Sequence, residues 1–195
     1  MPRISASERE ATRQRLLNAG KQEFAERGLA GARFDEISLA AGHAKGTIYN
    51  YFDSKEALFF TVVDEWCAQL IDAFVVPEDA TAREQLLALA AIDVEIARKD
   101  RDLARVVVQQ MPALLGSHAE STLRAIRPGV ELLTDIFDHG LTNAEFTSSH
   151  GPAVLARLFL DALSAYEMEA LVPDPIIQLD DVVELLDQLF VKGLR

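Results

Sequence analysis

Cysteine is nearly absent: the 195 residues contain one, Cys67. An internal disulfide framework is excluded, which fits a chain kept in a reducing cytoplasm. Apolar runs are short. None approaches the roughly 18 residues that span a bilayer, and the opening MPRISASERE lacks the apolar core of a secretory leader. The expectation is a cytoplasmic protein with no membrane partner. Histidine is also scarce. His43, His118, His139 and His150 show no metal-site spacing such as His-Glu-x-x-His. No Gly-x-Ser-x-Gly elbow, phosphate-cradling Gly-rich loop or dinucleotide fingerprint occurs. The acidic tracts DVE (93–95) and DDVVE (180–184) read as mostly solvated helix faces. An enzyme is therefore not expected, nor a metal, nor a cofactor. Strand-length alternation of apolar and polar residues is missing, as are Asn-Gly and Asp-Gly hairpin signals. No internal repeat or low-complexity linker is visible.

What remains is helical pattern and an uneven charge. Hydrophobic residues make up 49% of the chain, enough for a sizeable core, and net charge is −12. Residues 1–55 hold nine Lys/Arg against seven Asp/Glu, a net +2, while residues 56–195 hold ten against twenty-four, a net −14. A polyanion should meet the basic head and be repelled by the acidic body. The expected division is a head over 1–55 and a helical body over 56–195, joined by a helix over 54–76.

Start and stop signals place the helices. Ser7 and Glu10 form a Ser-x-x-Glu box that predicts the first helix start, with Leu16, Leu17, Gly20 and Phe24 buried and Gly28 as the stop. A short helix over 34–41 follows, then Gly42 at a sharp turn, then a helix over 44–52. Asp53 and Glu56 suggest a box opening the helix to Val76. Thr81 and Glu84 cap a helix to Lys99, and Pro112 predicts a kink or break in the helix after Asp102. Two segments should flank Pro128, with Gly140 closing the second. Helices over 152–172 and 179–192 finish the chain.

The stretch GHAKGTIYNYFDSKEAL, residues 42–58, gathers residues that a surface helix of an acidic protein has no need of. At 100° per residue, Ala44, Ile48 and Phe52 share an anchoring face bordered by Tyr51. Gly46, Thr47, Tyr49 and Asn50 fall on the opposite arc, with Lys45 at its edge. Such an arc suits a DNA groove. Lys45 can reach a phosphate or a guanine edge, and Thr47 a phosphate or a thymine methyl. Tyr49 offers a hydroxyl to phosphate, and Asn50 an amide to adenine or to the backbone. Gly46 removes bulk at the closest approach. Helix, glycine turn and helix together make a helix-turn-helix. Lys55 falls in the first turn of the next helix, where a phosphate is already favoured, and Arg33 at the start of the second helix is placed likewise. An apolar anchor with a polar outer arc also describes an ordinary surface helix, so the pattern alone does not decide.

The run FDEISLAAGHAKGTIYNYFDSKEALFFTVV, residues 34–63, closely resembles the TetR family of bacterial transcriptional regulators. Its Ala41–Gly42 turn, Lys45–Gly46–Thr47–Ile48–Tyr49, Tyr51–Phe52 and Ser54–Lys55–Glu56 with Leu58 carry the resemblance. The likeness covers about the first 65 residues. It implies an all-α homodimer whose three N-terminal helices bind operator DNA and whose larger helical bundle dimerises and holds an effector pocket. By matched position it implies DNA contacts at Lys45, Thr47, Tyr49, Tyr51 and Lys55. Ala32–Arg33 and His43–Ala44 depart from the family's usual Thr/Ser and Val-Ser, removing two hydroxyls. His43 at the turn reads rather as solvated than as a contact.

A dimer would read a palindrome with half-sites about 34 Å apart, or a multiple of that. The expected seam is the last two helices. Val154, Leu155, Leu158, Phe159, Ala162 and Tyr166 make one stripe, and Val182, Leu186, Leu189 and Phe190 another. Effector-pocket candidates are Trp66, Cys67, Gln109, Gln110, Met111, His118, Phe137 and Tyr166, which combine apolar bulk with polar tips. Each taken singly suits ordinary core or surface better than a pocket. The expected function is a dimeric, sequence-specific repressor released from a palindromic operator by an unknown small-molecule effector. Two rivals stand beside it: a DNA-binding protein of the same fold without an effector, and a helical module whose arc at 45–50 docks on another protein.

Overall fold

The computed structural model describes residues 5–194, all helix and connection with no strand among them. The elements are α1 (Ala6–Gly31), α2 (Phe34–Ala40), a 3-10 helix (Lys45–Asn50), α3 (Lys55–Ala73), α4 (Ala82–Lys99), α5 (Arg101–Ser117), α6 (Ala119–Thr142), α7 (Pro152–Ala170), α8 (Leu179–Leu189) and a closing 3-10 turn (Val191–Leu194). The chain divides into two compact units, Met1–Asp64 and Glu65–Arg195.

In the first unit, α1 begins one register earlier than Ser7 suggests. Ser5 caps the Glu8 N–H at 3.1 Å, and the Glu8 carboxylate accepts from the Ser5 N–H at 2.8 Å. Both Ser5–Glu8 and Ser7–Glu10 satisfy the box pattern; the earlier pair adds two residues of helix and prevails. Gly28 interrupts the helix at φ +66°, as its lack of a side chain permits. Gly20 has another task. A Cβ there would lie 2.7 Å from Leu58 Cδ2, so the glycine lets α1 and α3 pack closely. Phe24 and Phe59 meet edge to face beside them at 5.5 Å. The cap of α3 is Ser54, whose Oγ accepts from the Ala57 N–H at 3.1 Å, rather than an Asp53–Glu56 box. That helix ends at Ala73, short of Val76.

In the second unit the Thr81–Glu84 capping box forms and α4 runs to Lys99. Neither proline breaks its helix. Pro112 lies inside α5, and Pro128 inside the single 24-residue α6 where two segments were expected. Both rings face solvent, so each costs about one backbone hydrogen bond, while Ala125, Gly129 and Leu133 continue one buried face across Pro128. Gly140 does not close α6, which runs to Thr142. A Cβ at Gly140 would lie 2.5 Å from Phe146 and 2.8 Å from the Ala82 Cβ, so the position serves close approach. The left-handed residue after the helix is Ala144, at φ +57°. Phe137, Phe146, Phe159 and Phe190 form the aromatic centre of the core, with neighbouring rings 5.6–6.4 Å apart. Each fully buried ring contributes about 1.5–3 kcal/mol. Asp187, itself buried, accepts from Nε and Nη2 of Arg83, at 2.7 and 2.6 Å, and pairs with Lys192 at 3.1 Å. These hydrogen bonds hold its carboxyl down at about 2.

Candidate nucleic-acid interface

The turn between α2 and the reading segment is built as the glycine suggested. Gly42 lies at φ +79°, where side chains are disfavoured, and the next residue's N–H returns to the Ser38 carbonyl at 2.9 Å. Ser38 itself is fully buried and locks the turn. Its Oγ donates to the Ala44 carbonyl at 2.8 Å and accepts from the Ile48 N–H at 3.2 Å. No signal in the sequence marks Ser38; a serine on an apolar helix face reads as filler until its partners are seen.

The segment expected as an α-helix over 44–52 is a 3-10 helix over 45–50. Its ends force the tightening. Ala44 is extended, at φ −65° and ψ 148°, and the Tyr51 and Phe52 N–H groups converge on the Ile48 carbonyl at 2.9 and 3.0 Å. Ala44 is consequently an exposed leading residue and not an anchor; Ile48 and Phe52 carry the anchoring alone. Lys45, Gly46, Tyr49 and Asn50 are exposed, and Thr47 and Tyr51 are half-buried. Tyr49 keeps 56% of its surface open while its ring rests edge-on against Phe34 at 5.0 Å. So the outward arc exists as a polar face over an apolar anchor.

Two cations reach this face from α1. An Arg9 guanidinium nitrogen donates to the Asn50 carbonyl at 3.3 Å, and the group lies 5.5 Å from the centre of the Tyr51 ring. Arg13 lies over Phe52 at 5.4 Å. Sequence reasoning missed both because they are 39 to 42 residues from the ring or carbonyl they meet. Arg33 precedes α2, exposed, and pairs with Glu36 at 3.3 Å. Lys55 opens α3, in the first turn as expected. Its ammonium donates to the carbonyls of Ala30 at 2.9 Å and Ala32 at 3.5 Å, so from there it clamps the α1–α2 connection. His43 is half-buried, and its Nε2 is shielded with no protein partner, which does not fit a solvated ring.

The pocket candidates do not gather. Phe137 is solid core, and His118 is exposed at the junction of α5 and α6. Gln109 is exposed, while Cys67, Gln110, Met111 and Tyr166 are half-buried. Trp66 makes a directed polar contact within the second unit: its indole N–H donates to Asp93 Oδ1 at 2.6 Å. Asp93 is 8% exposed, contrary to the solvated reading of 93–95, and Glu167 is 2% exposed. Burial pushes Asp93 up to about 6 despite the indole bond, and burial together with the nearby Asp93 charge pushes Glu167 well above the ordinary carboxyl range. A groove of about 590 Å³ lies between α3 and α4, lined by Ala73, Ile92 and Ile96 among others, and none of the pocket candidates lines it. Among the described residues no cluster of three or more His, Cys, Asp or Glu could hold a metal, and no helix is long and apolar enough to cross a membrane.

Residues 16–62, which contain the turn, the 3-10 helix and their anchors, match the family described as bacterial regulatory proteins, tetR family. This head belongs to the TetR family. A curated helix-turn-helix transcriptional repressor of Streptomyces coelicolor is 40% identical over 76 residues, which are 39% of this chain and 38% of that protein. The match thus spans less than half the length of that relative. Two solved TetR-like folds cover nearly the whole chain. The fatty acid degradation regulator FadR of Bacillus halodurans has 24% identity, 94% and 96% coverage and a TM-score of 0.80. FadR of Bacillus subtilis, solved with stearoyl-CoA, has 22% identity, 90% and 97% coverage and a TM-score of 0.78. At that identity the two establish the all-α TetR-type fold of this chain and nothing of its ligand.

Proposed function

We propose that the protein is a dimeric, sequence-specific DNA-binding repressor that a small molecule releases from a palindromic operator. One observation carries this reading: the exposed face of Lys45, Gly46, Tyr49 and Asn50 with half-buried Thr47 among them, held outward by buried Ile48, Phe52 and Ser38. Polar, single-cation and nearly side-chain-free at Gly46, it is a surface for a phosphate-lined groove. Arg9, Arg13 and Arg33 supply further charge at its margins. Tyr51, half-buried under Arg9, contributes by shaping the face. Lys55 enters through the loop it holds. The exposed face suits DNA better than a protein partner because its core is polar and cationic, where protein interfaces centre on apolar anchors.

The dimer reading rests on the outer side of the last two helices. Leu155, Phe159, Val182 and Leu186 are core, yet Val154, Leu158 and Leu189 keep 48%, 47% and 66% of their surfaces open. A helix apolar on two sides has a second surface to bury, and a second copy related by a two-fold axis covers it with the same residues. In the mechanism, the free dimer binds DNA and an effector in the acidic body favours a different spacing of the two heads, so affinity falls. The chain performs no chemistry in this reading and works in the cytoplasm. Selection of duplexes from a random pool by the intact chain, followed by anisotropy titration, tests it. Enrichment of a two-fold symmetric sequence is expected, with binding lost on Tyr49→Ala at unchanged melting temperature; failure to enrich any sequence overturns the reading. Stearoyl-CoA belongs among the first effectors to titrate, since a protein of similar fold was solved with it.

A further inference from the structure

Inside the second unit, two carboxyls sit where no cation answers them. Asp93 on α4 and Glu167 on α7 are both more than nine-tenths buried. Asp93 has one partner, the indole of Trp66 on α3. Glu167 Oε1 is buried with no hydrogen-bond partner. Among the described residues neither acid has a basic side chain within ion-pair distance, whereas Asp187, Glu95 and Asp161 all do. Stability alone does not explain this arrangement. Apolar residues of similar size would fill the space without desolvating two acids, and an unpaired buried acid is costly. A half-satisfied polar cluster inside a packed unit points to a missing partner, and the chemistry of the cluster defines it: two acceptors beside one aromatic ring.

We propose that Asp93, Glu167 and Trp66 form the polar end of the effector site, and that the effector is an organic amine or related cation bearing N–H donors and an apolar body. The groove between α3 and α4 is its approach. Gln69 and Ala73 on the groove wall follow Trp66 by three and seven residues on α3, and so lie on the same helix face. Ile92 and Ile96 on the opposite wall flank Asp93 on α4. At the mouth the charges offset one another: Glu95 pairs with Arg98, and Asp72 and Lys99 both line the groove. Asp93, Glu167 and Trp66 are not themselves part of the groove lining and lie behind the wall that Ile92 and Ile96 form, where carboxyl groups without a cation favour a donor-bearing cation over an anion. A donor group reaching them supplies the missing partner, and the ring of Trp66 adds a cation–π surface. Proximity to the face of Trp66 and to two acceptors also favours a primary ammonium over a quaternary one, which has no N–H to give.

The inference rests on reading the second unit as effector-binding, and two separate readouts keep the failures apart. Trp66 is the only tryptophan of the chain, so its fluorescence reports on the site alone. The full chain is titrated with 4-phenylbutylamine, octylamine and cyclohexylmethylamine, each beside the alcohol and the carboxylic acid of the same body. At least one amine is expected to shift Trp66 emission saturably and to bind at least tenfold tighter than its alcohol and its acid. Asp93→Asn and Glu167→Gln, which keep shape and replace each carboxyl with an amide that cannot ionise, should each abolish that preference while the chain still melts cooperatively. Amines that bind no better than their alcohols overturn the inference, and this arm needs no variant. An amine preference that persists in both variants also overturns it. DNA affinity is then measured with and without the preferred amine. A fall of tenfold or more supports the site as the effector site; selective binding at Trp66 with unchanged DNA affinity overturns the effector assignment. DNA binding that never occurs refutes the regulator reading, independently of the amine result.

Discussion

Ser38→Ala perturbs the interface without touching its outward face. The hydroxyl makes two buried hydrogen bonds, to the Ala44 carbonyl and from the Ile48 N–H. Ala44 keeps a second donor, the Thr47 N–H at 2.9 Å, so its loss is softened. The Ile48 N–H loses its side-chain acceptor in the centre of the head, where Ile48 is fully buried. At about 1 kcal/mol for each neutral buried bond, the lock is worth about 2 kcal/mol. That energy corresponds to a roughly thirtyfold change in a local opening equilibrium. Hydrogen exchange resolves it by segment. Amides over 45–52 should exchange about thirtyfold faster in the variant, while amides over 82–99 keep their protection. DNA affinity should fall with the same variant, since the face is then populated less often in its binding shape. Unchanged exchange over 45–52 would refute the argument that Ser38, and not the turn glycine alone, holds the reading segment.

Gly42→Ala meets no atom within 4 Å but keeps a φ of +79°, so it should cost about 1 kcal/mol of head stability through backbone strain alone, read by urea denaturation. Stability of the second unit should rise as pH falls from about 7 to about 5. The folded state holds protons on Asp93 and Glu167 that the unfolded chain has released, so their favourable contribution is present below the unfolded value near 4 and is lost as pH rises through about 6 for Asp93 and through a value well above the ordinary carboxyl range for Glu167. Asp93→Asn should flatten that slope, as thermal melts across the range would record. Leu158→Glu places a charge on the exposed apolar side of α7 and should turn a dimer into a monomer in sedimentation velocity, with the helical signal intact.

The head was legible because local rules set it. A left-handed glycine at 42, a stop at Gly28 and an apolar pair at Ile48 and Phe52 each have one physical meaning, and they agree. The 3-10 winding was not legible, because it comes from how Ala44 and Phe52 tie down a segment too short to relax. Nor were Ser38, Arg9 and Lys55, whose roles depend on partners up to 41 residues away. The capping residue of α1 was ambiguous in SASERE itself, which satisfies one rule in two registers. In the body the failure has a different cause. Pro128 marks a break by local chemistry, but burial on both sides of it outweighs one lost hydrogen bond. Asp93 and Glu167 look like the solvated acids that surround them in the sequence, and only packing puts them inside. Pocket residues chosen by amphipathic character, such as Phe137 and His118, scattered to core and surface for the same reason.

The claim on which the rest depends is that the outward side of residues 45–50 meets a DNA duplex. Affinity for a selected duplex, measured against potassium chloride concentration for the intact chain and for Lys45→Ala, tests it most directly. If the account holds, the variant binds at least tenfold more weakly, and where Lys45 meets phosphate the slope of log affinity against log salt shrinks by about 0.9 per head. Identical affinity and identical slope in the two proteins would contradict it.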